Sequence, residues 1–297
     1  MSMHADEATI TADLVRGLLA EQFPEWADLP IEPVRSSAGT VNAIFRLGGT
    51  RSVRLPRRPS GAKGLLREQE WLPRLAPCLP VPVPDLLGRG VPGSAFPRPW
   101  SVHRWLDGAH PAPDADLGRD LAELVLGFRR VPFREGPASY RGGSLREMDA
   151  AVRTAIADLE ADLDTSLATA LWDESVHAPA WDGPPTWTHS DLLPANLLVA
   201  GGRLSGVLDF GTVGVGDPAC DLMPAWTVLS APARRDFREA LEPDEPTWLR
   251  GRGWAFSMAL LGLPYYRETN PPFAAMCRRT IDAVLAAASP DVRGCRG

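Results

Sequence analysis

Apolar residues near the start of the chain recur at helical spacing, and they predict a first helix over residues 11–23 with Thr11 as its N-cap. Short apolar runs separated by glycine and serine come next. They predict strands at 31–34, 41–47, 52–55, 81–87 and 100–105. One further helix, over residues 62–75, is predicted between the third and the fourth of these strands. We expect this part to form a small mixed sheet that carries one internal helix.

In the rest of the chain, apolar residues recur mainly at helical spacing. The predicted helices cover residues 116–130, 145–171, 219–229, 233–241, 245–261 and 272–288. The last predicted strand leads into the helical half at Leu106–Gly108, so we place a domain boundary there. The expected organisation is an α+β chain with a first domain over 1–107, ending in a hinge at about 101–107, and a second over 108–297.

The candidate chemistry lies between the two groups of predicted helices. An H-x-D-x-x-x-x-N pattern contains His189, Asp191 and Asn196, and a D-F-G sequence begins at Asp209. The catalytic loop and the metal-binding turn of protein kinases have the same order, because phosphoryl transfer needs a positioned base and oxygen ligands for Mg²⁺. We predict that Asp191 accepts the proton of an attacking hydroxyl, and that Asn196 and Asp209 hold Mg²⁺ on the phosphates of a nucleotide.

The residues between Asn196 and Asp209 predict a β-hairpin. Apolar residues 197–199 and 204–208 form its two strands, and Ala200-Gly201-Gly202-Arg203 forms the turn. A hairpin returns the chain to its starting end, so we expect Asp209 to lie close to Asn196.

Composition and charge exclude several classes of function. A net charge of −6 disfavours nucleic acid as a partner, because binding to phosphates requires a basic surface. The four cysteines form no C-x-x-C pair, which argues against a zinc site or a disulfide framework. No long apolar stretch and no signal-peptide pattern occurs, so we expect a cytoplasmic protein without a membrane span.

The motifs together resemble those of the aminoglycoside phosphotransferase and choline kinase-like family, over nearly the whole chain. His189–Asn196 resembles the family's H-G-D-x-x-x-x-N, and Asp209-Phe210-Gly211 resembles its D-[FW]-[EGS]. Gly216-Asp217-Pro218, with Asp221-Leu222, resembles G-D-P-x-x-D-L. The resemblance implies a two-lobed, protein-kinase-like fold, with a small N-terminal sheet lobe and a larger, mainly helical C-terminal lobe. It also implies Mg²⁺ as the metal and ATP or GTP as the phosphate donor.

The resemblance further assigns residues to the nucleotide. Glu68 would pair with Arg54, the base on the third strand that holds the phosphates. The remaining positions would form a flap over the phosphates, at Ser36, Ser37, Gly39, Thr40 and Asn42, and a hinge that bonds the purine, at Ser101, His103 and Trp105.

Two residues depart from the family pattern. Arg54 stands where many kinases have lysine, and Lys63, the only lysine in the chain, is a second candidate for the phosphates. Ser190 stands where many members have glycine, which is harmless unless the position requires a positive φ. We expect three other residues to support the site: His189 by shaping the loop, and Asp217 and Asp221 by bracing it through hydrogen bonds or an arginine pair.

The acceptor site is expected in the helical half, facing Asp191. Two sets of side chains there lead to different acceptors. Converging acids would favour a polycationic aminoglycoside, the candidates being Asp173, Glu174, Asp182, Glu242, Asp244, Glu245 and Glu268. Converging aromatics would suit a macrolide or a nucleoside-type antibiotic, the candidates being Trp226, Trp248, Trp254, Phe256, Tyr265 and Tyr266.

The function expected from the sequence is an O-phosphotransferase acting on a small molecule. Only five residues separate Gly211 from Asp217, which leaves no room for an activation loop of the protein-kinase type. The acceptor is therefore expected to be a small-molecule hydroxyl, most readily that of an antibiotic, which phosphorylation would inactivate to give resistance. Two alternatives stay open at this point: a metabolic kinase for choline, a sugar or an amino-alcohol, and a nucleotide-binding pseudokinase.

Overall fold

The computed structural model describes residues 10–34 and 41–287. Contacts within the chain divide it into two compact units. The sheet unit consists of Met1–His110 with Ala195–Val213, and the helical unit consists of Pro111–Pro194 with Gly214–Gly297. The sheet unit therefore takes in residues 195–213, which the sequence had placed in the second domain. The expected boundary after residue 107 stays a prediction.

Helices and strands occur in an order close to the expected one. The α-helices are α1 (Ala12–Gln22), α2 (Pro59–Leu75), α3 (Gly118–Arg129), α4 (Asp149–Asp158), α5 (Thr165–Val176), α6 (Pro224–Thr227), α7 (Ala231–Leu241), α8 (Glu245–Tyr266) and α9 (Pro271–Ala286). The strands are β1 (Ile31–Pro33), β2 (Asn42–Leu47), β3 (Arg51–Pro56), β4 (Leu86–Gly90), β5 (Trp100–Arg104), β6 (Thr186–Thr188), β7 (Leu197–Ala200), β8 (Arg203–Val207) and β9 (Gly214–Gly216).

The main sheet of the sheet unit has five strands in the order β1-β2-β3-β5-β4. All of its described pairings are antiparallel. The sequence had predicted a mixed sheet, and that detail was wrong. The strand expected over 81–87 was also misplaced, since β4 begins at Leu86. Prolines at 80, 82 and 84 lack the backbone N–H that a ladder needs, and they keep this segment out of the sheet.

Helix α1 closes one face of the sheet. Thr11 caps it as expected, because its hydroxyl accepts a hydrogen bond from the Leu14 amide at 3.2 Å. The apolar face of α1 packs against alternate residues of the strands. This core contains Val15, Leu18, Leu19, Phe45, Leu47, Val53, Leu55, Phe96, Trp100 and Val102.

Helix α8 is the central element of the helical unit, and it packs against α4, α5 and α9. It is buried on nearly all sides, which explains why its sequence is apolar around its whole circumference. Gly251 allows a short 3₁₀ helix at Pro218–Leu222 to approach α8, since a Cβ there would lie 2.6 Å from Leu222 Cβ. In residues 10–34 and 41–287, no helix combines the length and apolar character needed to cross a membrane.

The segment 145–171, expected to be mostly helical, is helical in separate pieces. A 3₁₀ helix at Leu145–Met148 leads into α4, and α5 starts anew at Thr165. Asp164 causes this second start, because its side chain accepts a hydrogen bond from the Leu167 amide at 3.0 Å. The strands β6 and β9, which pair with each other, were not predicted, since three-residue strands carry little periodic signal.

A buried ion pair joins α8 to the 3₁₀ helix at Pro218–Leu222. Arg250 Nε lies 2.6 Å from Asp217 Oδ2, and both side chains are more than 90% buried. Asp217 Oδ1 also caps the 3₁₀ helix by accepting from the Ala219 amide at 2.9 Å. This is the arginine pair expected for Asp217.

Replacing Arg250 by leucine should destabilise the helical unit by about 3–5 kcal/mol, because Asp217 would remain buried without its partner. The matched control is Arg238→Leu on α7, whose partner Glu245 is exposed, and the expected loss there is below about 1 kcal/mol. Urea unfolding measures both. Equal losses for the two variants would show that the buried pair has no special role.

Candidate functional site

The predicted hairpin is present in the sheet unit and brings Asn196 and Asp209 to the same end. Strands β7 and β8 pair antiparallel, with Leu197 opposite Val207. One position further out, the Leu208 amide donates a hydrogen bond to the Asn196 carbonyl at 2.8 Å. Asp209 follows directly, so the two expected Mg²⁺ ligands stand at the open end of one hairpin.

The turn at Asp209 has a conformation that few residues adopt. Asp209 has a φ of 61°, in the left-handed region, where aspartate is better tolerated than most side chains. Its Oδ1 accepts a hydrogen bond from the Gly211 amide at 3.3 Å, which begins a short 3₁₀ helix at Phe210–Thr212. The local hydrogen bond and the strained backbone together define where the carboxylate sits.

Helix α2 packs directly on this 3₁₀ helix. Gly64 and Gly211 face each other so closely that a Cβ at Gly211 would lie 3.3 Å from the Gly64 backbone. Arg67, one turn further along α2, donates a hydrogen bond to the Val213 carbonyl at 3.2 Å. The helix that carries Glu68 is therefore held against the turn that carries Asp209.

The pair of Arg54 and Glu68 that the resemblance implied is present. Arg54 Nη1 on β3 lies 2.8 Å from Glu68 Oε1 on α2, and both side chains are buried. Lys63, the other candidate for binding the phosphates, is exposed on α2. The phosphate-binding role of either residue stays a prediction.

His103 is part of the same buried cluster and does not face outward as a purine contact. Its Nε2 lies 2.9 Å from Ser101 Oγ and 3.7 Å from Glu68 Oε1. Burial, followed by the positive charge of Arg54, lowers the pKa of His103 to about 3. The imidazole is therefore neutral at physiological pH and packs beside the ion pair.

The expected hinge at Ser101, His103 and Trp105 needs correction. Ser101 and His103 lie in β5, which is flanked by β3 and β4, so their backbone groups belong to the sheet. The amide of Arg104 donates to the Asp85 carbonyl at 2.8 Å, and that of Trp105 donates to the Thr50 carbonyl at 2.9 Å. A backbone donor to a purine must therefore come from beyond Trp105.

The expected flap lies mostly outside the described residues, which leave out Ser36, Ser37, Gly39 and Thr40. Its last member, Asn42, begins β2 opposite Pro56. The Asn42 Oδ1 atom is buried and has no hydrogen-bond partner among the described residues. Its role at the nucleotide stays a prediction.

The donor set suits a metal that is bound together with a nucleotide. Among the described residues, no group of three or more His, Cys, Asp or Glu side chains could hold a metal by itself. Asn196 and Asp209 offer one amide oxygen and one carboxylate at the hairpin end. Mg²⁺ commonly takes one or two carboxylates and completes its shell with phosphates and water, so these two residues fit it.

In the helical unit, Asp221 braces the turn that carries Asp191. Its two carboxylate oxygens accept hydrogen bonds from the amides of His189, at 2.8 Å, and Ser190, at 2.7 Å. Burial raises the pKa of Asp221, while the two amides favour its charged form. Asp221 thus makes hydrogen bonds of the kind expected for bracing the loop, and the supporting roles of Asp221 and His189 stay predictions.

Ser190 has a φ of 60° and is fully buried. A serine is expected to be harmless here unless the position requires a positive φ. The structure has that positive φ, so the serine carries a steric cost. Glycine reaches this region without steric cost, whereas an L side chain pays about 1–2 kcal/mol there. The turn before Asp191 thus stores strain that a glycine would release.

Asp191 makes a contact that the sequence did not predict. Arg141 Nη1 lies 2.6 Å from Asp191 Oδ1 and also donates to the Ser190 carbonyl at 2.7 Å. Arg141 belongs to no motif and precedes Asp191 by fifty residues, so no local signal pointed to it. It holds the carboxylate in one orientation through a charge-assisted hydrogen bond.

The sequence matches the profile of the "Phosphotransferase enzyme family" over residues 32–254, about three quarters of the chain. This chain belongs to that family. It is therefore a phosphotransferase, and the matched range contains Arg54, Glu68, Asp191, Asn196 and Asp209. A search among curated proteins finds no significant match.

Solved structures of other phosphotransferases have the same kinase-like fold. The GDP and kanamycin complex of APH(2")-IIia is 18% identical, with a TM-score of 0.69 over 93% of this chain and 99% of that one. The wild-type aminoglycoside 2'-phosphotransferase-IIIa, as a GDP complex, is 19% identical, with a TM-score of 0.70 over 92% and 98%. Macrolide 2'-phosphotransferase MphH from Brachybacterium faecium is 21% identical, with a TM-score of 0.58 over 91% and 97%. At these identities the likeness establishes the fold.

The buried neutral His103 should make this phosphotransferase lose stability in mild acid. Below pH 6.5 the unfolded chain takes up a proton at this imidazole, and the folded chain does so only near pH 3. The free energy of unfolding should fall by about 2 kcal/mol more between pH 7 and pH 5 in the wild type than in His103→Gln. Urea unfolding at both pH values measures this difference, and parallel losses would contradict it.

Stability should also reveal the strain at Ser190. Ser190→Ala and Ser190→Gly both remove the hydroxyl, and only the alanine retains a Cβ in the left-handed conformation. We expect the free energy of unfolding of the glycine variant to be higher by about 1 kcal/mol. At most positions the alanine variant would be the more stable of the two. Thermal unfolding of the pair decides the matter, and a more stable alanine variant would rule the strain out.

Proposed function

We propose that this phosphotransferase moves the γ-phosphate of ATP or GTP to a hydroxyl of a small molecule, most readily that of an antibiotic, and so inactivates it. The observation that carries the proposal is the hairpin end, where one hydrogen bond sets Asn196 beside Asp209. The buried pair of Arg54 and Glu68 belongs to the same unit. Asp191, oriented by Arg141 on a braced turn, supplies the third element that the reaction needs.

Each residue has a defined part in the proposed reaction. Asp191 orients the acceptor hydroxyl and takes its proton as the oxygen attacks the γ-phosphorus. The bond from that phosphorus to the β,γ-bridging oxygen breaks, and ADP or GDP leaves. Arg54 binds phosphate oxygens through its guanidinium, and Glu68 holds Arg54 in place. Asn196 and Asp209 would hold Mg²⁺, which neutralises charge on the phosphates.

The related structures support a nucleotide donor without deciding which one. One of them is a GDP and kanamycin complex, and another is a ternary complex of streptomycin and ATP with APH(2")-IIa. Because both nucleosides occur among these relatives, ATP and GTP are to be tested in parallel. The supply of either donor fits action in the cytoplasm.

The two alternative functions are separated by the same assay. A metabolic kinase would phosphorylate choline, a sugar or an amino-alcohol, and would leave antibiotics unmodified. A pseudokinase, suggested by Arg54 in place of lysine, would bind nucleotide and transfer phosphate to no acceptor. Release of ADP and GDP, measured against panels of antibiotics and metabolites, distinguishes the three.

Replacing Asp191 by alanine should lower kcat by about 10²-fold or more, the effect expected for loss of a positioned base. Nucleotide affinity should change little, because Asp191 is proposed to act on the acceptor. The control is Asp236→Ala, an exposed carboxylate on α7, which should retain full activity. Turnover by Asp191→Ala close to that of the wild type would reject the assignment.

A further inference from the structure

The helical unit contains a cavity of about 410 Å³ between helices α8 and α9 and the segment 140–148. That volume lies in the range of small-molecule sites. Its walls are mainly aromatic and aliphatic, from Trp254, Met258, Leu261, Tyr265, Tyr266 and Phe273. The cavity therefore offers a ligand more apolar than polar surface.

Arg141 connects this cavity to Asp191. It lines the cavity, and the same guanidinium binds Asp191 Oδ1 at 2.6 Å. It also lies over the Tyr140 ring, with its Cζ 4.9 Å from the ring centroid. A ligand in the cavity would thus meet, through one side chain, the carboxylate proposed to activate the acceptor hydroxyl.

The charges around the cavity do not suit a polycation. Of the described residues that line it, Glu147 is the only acid and Arg141 the only base. None of the seven acids considered from the sequence, all within the described chain, lines the cavity. Several serve elsewhere: Asp173 pairs with Arg153, Glu174 with Arg252, Glu245 with Arg238, and Asp244 caps α8.

The aromatic candidates divide in a way that favours the cavity. Trp254, Tyr265 and Tyr266 line the cavity. Trp226 and Trp248 lie outside it and pack against each other, with their ring centroids 4.7 Å apart. Tyr265 is 58% exposed, so part of its ring is accessible to a ligand in the cavity.

One polar group in this wall is unused. Trp254 is 93% buried, and its indole Nε1 has no hydrogen-bond partner among the described residues. A buried indole N–H normally finds an acceptor. A ligand oxygen in the cavity can supply it.

We propose that this cavity receives the phosphate acceptor, and that the acceptor is a bulky, mainly apolar alcohol with at most one ammonium group. The inference rests on the proposed function and narrows its acceptor. Aromatic walls bury the apolar body, and Glu147 offers one counter-ion. Arg141 disfavours further positive charges beside Asp191, so it determines specificity as well as orientation.

The test measures phosphate transfer by the 297-residue chain, with its preferred nucleotide, to two panels of acceptors. The apolar panel is erythromycin, rifampicin and chloramphenicol, and the polycationic panel is kanamycin, gentamicin and streptomycin. Mass spectrometry detects the phosphorylated product, and steady-state kinetics gives kcat/KM. We expect the best apolar acceptor to exceed the best polycation by about 10²-fold or more in kcat/KM.

Variants then locate the acceptor. Trp254→Phe should raise KM for the apolar acceptor by about 5- to 10-fold with little change in kcat, because one hydrogen bond is lost. Trp248→Phe makes the same change on the same helix outside the cavity, and KM should stay as in the wild type. Arg141→Gln should shift the ratio of kcat/KM values toward polycations by about 10-fold. A ratio remains measurable even where overall activity falls.

The possible failures are distinguishable. Better transfer to polycations, or equal effects of Trp254→Phe and Trp248→Phe, would overturn the inference about the cavity and leave the phosphotransferase proposal standing. Nucleotide binding without transfer to any of the six compounds would overturn the inference about the cavity. The proposed function would fall only if no other antibiotic and no metabolite accepted the phosphate either.

Discussion

A charged side chain can leave water only where an opposite charge or a set of donors replaces the lost solvation. Three buried carboxylates among the residues that the structure describes illustrate that condition. Glu68 has Arg54, Asp217 has Arg250, and Asp221 has two backbone amides. Because one partner alone would be costly to bury, each arrangement holds together two segments that are distant in sequence. The residues proposed for catalysis stand directly beside these segments.

Strain occurs next to the same sites. Ser190 and Asp209 both have left-handed backbones, one immediately before Asp191 and the other at a proposed metal ligand. Such conformations persist only where surrounding contacts enforce them. Asp221 does so for the first through two hydrogen bonds, and the packing of α2 against Phe210–Thr212 supports the second. Stability is thus lost at positions where the proposed chemistry depends on the direction of a side chain.

The proposed acceptor follows from which charged side chains of the helical unit have partners and which line the cavity. Several acids of this unit, among them Asp173, Glu174 and Glu245, are engaged in ion pairs, and none of the seven candidate acids lines the cavity. Trp254, Tyr265 and Tyr266 instead line the cavity, which Arg141 also lines. The distribution of partners within the unit, more than the net charge of the chain, argues for an apolar ligand.

Local patterns were sufficient for much of this protein. The hairpin between Asn196 and Asp209, the first helix with its Thr11 cap, and the pairing of Arg54 with Glu68 could all be predicted. Spacing and turn residues act over short distances, and the pairing matches a known family. The same reasoning failed at Pro80–Pro84, where missing amides outweighed the apolar alternation. It also gave no bounds for the separate helices within 145–171, where Asp164 caps a new start.

Long-range packing decided the rest. The contact between Arg141 and Asp191, the burial of His103 beside Glu68, and the choice of which aromatics line a cavity depend on residues many tens of positions apart. No periodicity or short motif records such distances. The positive φ of Ser190 is of the same kind, because tertiary hydrogen bonds impose it against the preference of the residue. Sequence alone determined which chemical groups are present and near which turns, and only the folded chain decided which of them meet, since burial and desolvation act on surfaces that exist after folding.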